Sequence, residues 1–206
     1  MRVALLVVMA LILAGCTLRP PSIVSHAFKF QSACSEIPAC QNLSVSQTNK
    51  CCNRAASINR ISDYCLDAGN LSTSCYNDMG ILLKQGTLCM LAGEFKESCY
   101  LNVAVQTEDT TLCPKVSKNS TNYCYSTISV AKNDSIDCPK AGSLEEGCYF
   151  GVAINLDNAT MCEKSGQFRN TCISTIAKAT KNISLCSGLT ALKDGCYGFF
   201  NQSTPQ

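Results

Sequence analysis

Apolar and polar positions recur along the chain at a period longer than any single helix or strand. The pattern is in phase with one series of cysteines: Cys51, Cys75, Cys99, Cys124, Cys148, Cys172 and Cys196. Four residues after these lie Ala55, Met79, Val103, Ile128, Val152, Ile176 and Phe200. One residue further on, the side chain is usually small: Ala56, Gly80, Ala104, Ser129, Ala153 and Ala177. Tyrosine directly follows the cysteine at Tyr76, Tyr100, Tyr125, Tyr149 and Tyr197, and Leu71, Phe95, Leu144, Phe168 or Leu192 precedes it by four. Offsets of −4, 0, +1, +4 and +5 fall on one helical face. Each segment is therefore expected to be a helix of about 12–14 residues, roughly 20 Å long. The small residue is expected to admit a neighbouring backbone. No strand alternation competes with this reading.

A second series, Cys40, Cys65, Cys89, Cys113, Cys138, Cys162 and Cys186, runs 10 or 11 residues ahead of the first. Asp109, Asp134, Asn158 and Asn182 each stand four residues before one of these cysteines. A carboxylate or amide there suits an N-cap, because its oxygen accepts an orphan amide proton of the first turn. Gly93, Gly142, Gly166 and Gly188 lie just beyond, where a C′ glycine is expected. The unit therefore reads as long helix, tight turn, short helix, loop. Its period from Cys65 onwards is 24, 24, 25, 24 and 24 residues.

Helical hairpins repeating at fixed period stack into solenoids. The expected fold is all-α: a disulfide-stapled α-solenoid of about seven short helical-hairpin repeats, with helices about 8–10 Å apart. Sel1-like repeats of secreted bacterial proteins are a looser analogue with a longer unit. The repeat signature is not that of a named family.

Cysteine is the compositional extreme, with 17 in 206 residues against one histidine and no tryptophan. That density belongs to disulfide scaffolds of oxidising compartments. With Cys16 set aside, sixteen remain, and repeat symmetry leaves two schemes. In one, the two cysteines of each unit pair: 40–51, 65–75, 89–99, 113–124, 138–148, 162–172 and 186–196, with Cys34 and Cys52 left to close the first unit. In the other, each long helix joins the next short one, as in 51–65, which strands Cys40 and Cys196. The first is preferred because it strands no cysteine of either series. A metal site is disfavoured, since cysteine spacings of 10 and 14 are not those of zinc ligands. No cofactor motif occurs. Vicinal Cys51-Cys52 reads as two neighbours in different bridges.

Residues Val3 to Ala14 form an unbroken apolar run after Arg2, too short to span a bilayer and suited to a signal h-region. The run ends in Leu13-Ala14-Gly15-Cys16. This resembles the lipobox of prokaryotic lipoprotein precursors. The resemblance covers the first 16 residues and implies cleavage before Cys16 and lipid on its sulfur. The other reading is an ordinary secretory signal with Cys16 in a disulfide. Residues 16–31, with Pro20-Pro21 and the lone His26, read as a tether, leaving 32–206 as the repeat domain.

Seven N-x-S/T sequons, at Asn42, Asn70, Asn119, Asn133, Asn158, Asn182 and Asn201, make glycosylation a candidate modification. Two of them coincide with the expected N-caps. A balanced charge of 17 basic and 15 acidic residues gives no electrostatic case for nucleic acid. With one histidine in the tether, no Ser-His-Asp or Cys-His arrangement exists. The Glu145-Glu146 pair reads as a negative first turn, and Asp63, Asp67 and Asp78 are carboxylates that folding would have to bring together.

Three function classes follow. The favoured one is a binding or scaffold module, lipid-anchored on the outer face of a prokaryotic membrane, with a protein or glycan ligand and no catalytic residues. The alternatives are an envelope polymer or glycan hydrolase using converging carboxylates, and a structural coat or adhesion component.

Overall fold

The computed structural model describes residues 34–202, so the expected signal segment, lipobox, Cys16 and tether lie outside the described residues. Seven α-helices carry the fold: α1 (Val45–Asn59), α2 (Ser72–Leu83), α3 (Lys96–Thr107), α4 (Lys118–Lys132), α5 (Glu145–Asn155), α6 (Arg169–Ala179) and α7 (Lys193–Gln202). Among the described residues there is no strand, and no helix is long and apolar enough to cross a membrane. Each α-helix packs on the one before it and the one after it, with no substantial contact to the next but one. That nearest-neighbour pattern is the α-solenoid expected from the period.

The short helices are 3₁₀ rather than α. They include Ser62–Leu71, Thr110–Lys115, Cys138–Leu144 and Ile183–Gly188. Their bonds span three residues, such as the Ala92 amide to the Cys89 carbonyl at 3.2 Å. Few residues separate one α-helix from the next, and Pro114 and Pro139 remove amide donors. A tighter, shorter spiral is what fits.

The expected caps are present in modified form. The amides of Thr111, Ile136, Thr160 and Ser184 donate to the side-chain oxygens of Asp109, Asp134, Asn158 and Asn182, at 2.9–3.1 Å. Gly69, Gly93, Gly142 and Gly166, four residues after the first cysteine, share φ near +50°. At Gly142 a side chain would also meet Asn122, 2.8 Å from its Nδ2. Gly188 departs from expectation. It closes the segment Ile183–Gly188, and the left-handed residue nearby is Leu192 at φ 64°. Where the cysteine spacing is 11, a serine replaces the glycine: Ser44 and Ser117 are extended N-caps, at φ −62° and −60°.

Helix exits follow one rule that the sequence did not advertise. Arg60, Lys84, Glu108, Asn133, Asp157 and Lys181 all take positive φ between 51° and 57°. Each lies five residues before the first cysteine of the following unit. The next amide then donates back to the small residue of the helix, for example Gln85 to the Gly80 carbonyl at 2.8 Å and Asn158 to Ala153 at 2.9 Å. This is the six-to-one bond of a Schellman exit.

Sixteen cysteines pair as Cys34–Cys52, Cys40–Cys51, Cys65–Cys75, Cys89–Cys99, Cys113–Cys124, Cys138–Cys148, Cys162–Cys172 and Cys186–Cys196. Each bridge ties a 3₁₀ segment to the α-helix after it, with Cα atoms 5.4–5.7 Å apart. Apart from half-buried Cys51, the bridge cysteines are themselves core. They are packed with Met79, Val103, Ile128, Val152 and Ile176, all 0–1% exposed. The small residue is where the next unit enters. A Cβ on Gly80 would lie 2.7 Å from Cys99 Sγ, so it is the neighbour's disulfide, rather than its backbone, that approaches there. The residues four before the second cysteine are not on the buried helical face. Leu71, Phe95, Leu144 and Phe168 occupy the N-cap, and Phe95, Leu144 and Phe168 are 38–39% exposed.

Candidate functional site

Successive units are joined by two side-chain ladders. In the first, the residue two before the second cysteine reaches the bend of the following unit. Asn49 Nδ2 donates to Asn70 Oδ1 at 3.0 Å, and Asn122 Nδ2 to Ser143 Oγ at 3.4 Å. Ser117 and Ser120 both donate to Glu97 Oε1 at 2.6 Å. The Gln167 amide donates to Glu146 Oε2, and the Thr190 amide to Asn170 Oδ1, both at 3.2 Å. At the remaining interface Thr73 packs against Gly93. Sequence reasoning missed this ladder because its residue type varies while its position does not.

In the second ladder a lysine two residues after the first cysteine lies over the tyrosine of the preceding unit. Lys115, Lys140 and Lys164 stand 5.2–5.5 Å from the ring centroids of Tyr100, Tyr125 and Tyr149. Lys140 also pairs with Asp137 at 2.7 Å. That hydrogen bond and charge hold the ammonium above the ordinary lysine range.

At the last interface the pair is replaced. Ile173 stands where tyrosine does elsewhere and Gly188 where lysine does. The missing bulk leaves a cleft of about 300 Å³, walled by Ala159, Ile173 and Leu185. Arg169 crosses its rim with bonds to both Glu163 oxygens, at 2.6 and 2.8 Å, and to the Gly188 carbonyl at 3.2 Å.

The first unit carries a larger groove, of about 560 Å³, along the outer side of α1. Ile37, Ala39, Ala55 and Ile58 supply apolar surface, Lys50 and Arg54 supply charge, and the Cys40–Cys51 bridge lies in its wall. The sulfurs of Cys34, Cys40 and Cys52 are all within 4.8 Å of one another. Each is committed to a disulfide. Cys52 occupies the tyrosine position, and Asp67 occupies the lysine position of the next unit, where it accepts the Cys34 amide at 2.7 Å.

Several of the carboxylates named from the sequence make contacts within the fold. Asp67 caps the first turn. Burial first, and then the charges of Asp63 and Asp67, push the Tyr76 phenol up, so these two carboxylates flank a core tyrosine. The Asn77 amide donates to Asp78. Glu146 serves the ladder, and Glu145 begins α5 beside it. Glu97 and Glu163 are held below the usual carboxylate range, by hydrogen bonds from Ser117 and Ser120 and from Arg169 respectively. A general acid needs the opposite shift.

Asn42, Asn70, Asn119, Asn133, Asn182 and Asn201 are exposed, and Asn158 is half-buried. In Asn158 and Asn182 the side-chain oxygen takes both the amide and the hydroxyl of the sequon's third residue, the hydroxyl at 2.6 Å. Comparison with known proteins finds no matching family model, no similar curated protein and no similar solved structure.

Proposed function

We propose that the chain is a lipid-anchored, extracytoplasmic helical-repeat protein that acts as a binding or scaffold module. Eight disulfides belong to an oxidising, extracytoplasmic environment. The observation that carries the binding reading is a contrast between two positions one residue apart. The first cysteine of every unit is buried. The residue after it, from the second unit on, is exposed and changes type: Leu66, Met90, Pro114, Pro139, Glu163 and Ser187. A constant interior presenting one variable exposed side chain per unit is how repeat proteins build extended recognition surfaces. The row is apolar at one end, where Leu66 and Met90 are 63% and 64% exposed, and polar at the other. A protein or glycan ligand suits that gradient. Glycans on the exposed sequons would leave the row itself clear, since no sequon asparagine lies on it.

Intact mass of the native membrane fraction, before and after reduction, tests anchorage and modification together. The expected result is a chain beginning at Cys16 with lipid attached, a gain of two mass units per reduced bridge, and a glycan increment. A chain cleaved elsewhere and released in soluble form would overturn the anchor. Photo-crosslinkers placed at positions 66 and 90 are expected to capture an envelope component that crosslinkers at 178 do not. Equal capture from all three positions would remove the recognition surface.

A further inference from the structure

One cysteine of the sixteen differs from the rest. Cys51 is half-buried, whereas the other fifteen are at most 3% exposed. Its bridge to Cys40 forms part of the wall of the groove along α1, between Lys50 and Arg54. We infer that Cys40–Cys51 is a thiol–disulfide exchange site for an external thiolate that carries carboxylates beside it.

Exchange requires in-line access to one sulfur, and burial denies this to the six later bridges. The groove supplies access at Cys51. Lys50 and Arg54 are exposed and supply two positive charges, and no acidic side chain lines the groove. They would draw an incoming thiolate and stabilise the leaving one. Ile37, Ala39 and Ile58 give apolar surface for the residues around it.

The chemistry balances without a metal or cofactor. The external thiolate attacks Cys51 Sγ, a mixed disulfide forms, and the Cys40–Cys51 bond breaks with its electron pair on Cys40 Sγ. A second thiolate of the same partner then attacks the partner's own sulfur and expels Cys51 as thiolate. The partner leaves oxidised to a disulfide, and Cys40 and Cys51 are left as thiols. The Ala39 carbonyl oxygen, 3.6 Å from Cys51 Sγ, is an acceptor in place for the new thiol. The freed Cys40 sulfur has a second option. Being within 4.8 Å of Cys34 and Cys52, it attacks that bridge and displaces Cys34, moving the bond to Cys40–Cys52 with no net redox change.

The full native chain is incubated at pH 8 with glutathione, then quenched by alkylation and mapped by mass. The expected first product is a glutathione adduct on Cys51, with Cys40 alkylated or bridged to Cys52, at least about tenfold ahead of any cysteine in the six later bridges. Adducts that arise equally at all bridges, or first at a later one, would overturn the inference. A parallel arm uses cationic cysteamine. In Lys50→Glu/Arg54→Glu the rate ratio of glutathione to cysteamine is expected to fall several-fold. An unchanged ratio would overturn the carboxylate-bearing partner. A third arm uses a peptide with two cysteines flanked by glutamates, and oxidation of the peptide with matching appearance of two chain thiols identifies a protein partner. Reaction with glutathione alone identifies a small thiol. The Cys40→Ser/Cys51→Ser variant keeps the Cys34–Cys52 bridge, and its circular dichroism reports whether it folds. If the folded variant reacts with glutathione as fast as wild type, the assignment to this bridge fails.

Discussion

Ser129 stands where five of the other six units have alanine or glycine, and its hydroxyl is buried without a hydrogen-bond partner. A buried unsatisfied hydroxyl costs about 1–3 kcal/mol, so Ser129→Ala is expected to stabilise the chain, by about 1 kcal/mol in chemical denaturation. Gly80 shows the opposite constraint at the equivalent position. Alanine is the better helix former, but its Cβ would press on Cys99 Sγ. Overpacking of this kind typically costs about 1–3 kcal/mol, so Gly80→Ala is expected to destabilise despite the gain in helix propensity. A lower denaturation midpoint for the first variant, or a higher one for the second, would contradict this packing scheme. Glu97 adds a pH signature. Its carboxyl is depressed by bonds from Ser117 and Ser120, so it contributes stability above the unfolded-state carboxylate range. That contribution is lost as pH falls through the depressed value. Thermal melts of Glu97→Gln should therefore lose less stability on acidification than wild type.

At the scale of the element, what could be read from the chain depended on whether residue type or only position repeats. Cysteine, tyrosine and the small residues repeat in type, and they located seven helices and a pairing scheme that the structure reproduces. The left-handed exits repeat only in position. Arg60, Lys84, Glu108, Asp157 and Lys181 carry none of the glycine that usually marks such a residue, so nothing local announced them. The 3₁₀ character of the short segments was likewise hidden, because N-cap residues and prolines serve either kind of helix. The ladder from Asn49 to Asn170 joins residues about twenty apart, which no pattern within one unit can show. The non-glycine exits offer a direct test. A left-handed L-residue costs about 1–2 kcal/mol, against about 0.5–1 kcal/mol for the extra freedom of an unfolded glycine. Lys84→Gly is therefore expected to raise the denaturation midpoint slightly, by about 0.5 kcal/mol in free energy. A clear loss would mean that the lysine side chain itself holds the exit.

For the whole molecule, a stack with only nearest-neighbour contacts should respond to damage according to where it falls. Removing the Cys113–Cys124 bridge with paired alanines loosens the fourth of seven units. Loss of closure over about ten residues costs roughly 2–3 kcal/mol on the entropy model. Unfolding is expected to divide into two transitions, one for the units on each side. Removing Cys186–Cys196 should only fray the last unit and leave one main transition. Calorimetry of the two variants distinguishes these outcomes, and a single cooperative transition in both would mean stronger long-range coupling than the contacts imply.

The bridges also bear on how the chain is made. Seven of the eight join cysteines 10 or 11 residues apart, and the eighth spans 18. A ten-residue loop closes in about 10–100 ns. Synthesis supplies about 5–20 residues per second, so the next unit follows its predecessor by on the order of a second. From Cys65 onwards, the correct partner of each first cysteine is its nearest cysteine along the chain, 10 or 11 residues away against 13 or 14 for the preceding one, so once each earlier pair has closed oxidation should proceed in the order in which the chain emerges. Only the stretch from Cys34 to Cys52 presents four thiols together. Errors of pairing, and any need for an isomerase, should therefore concentrate in the first unit to be born.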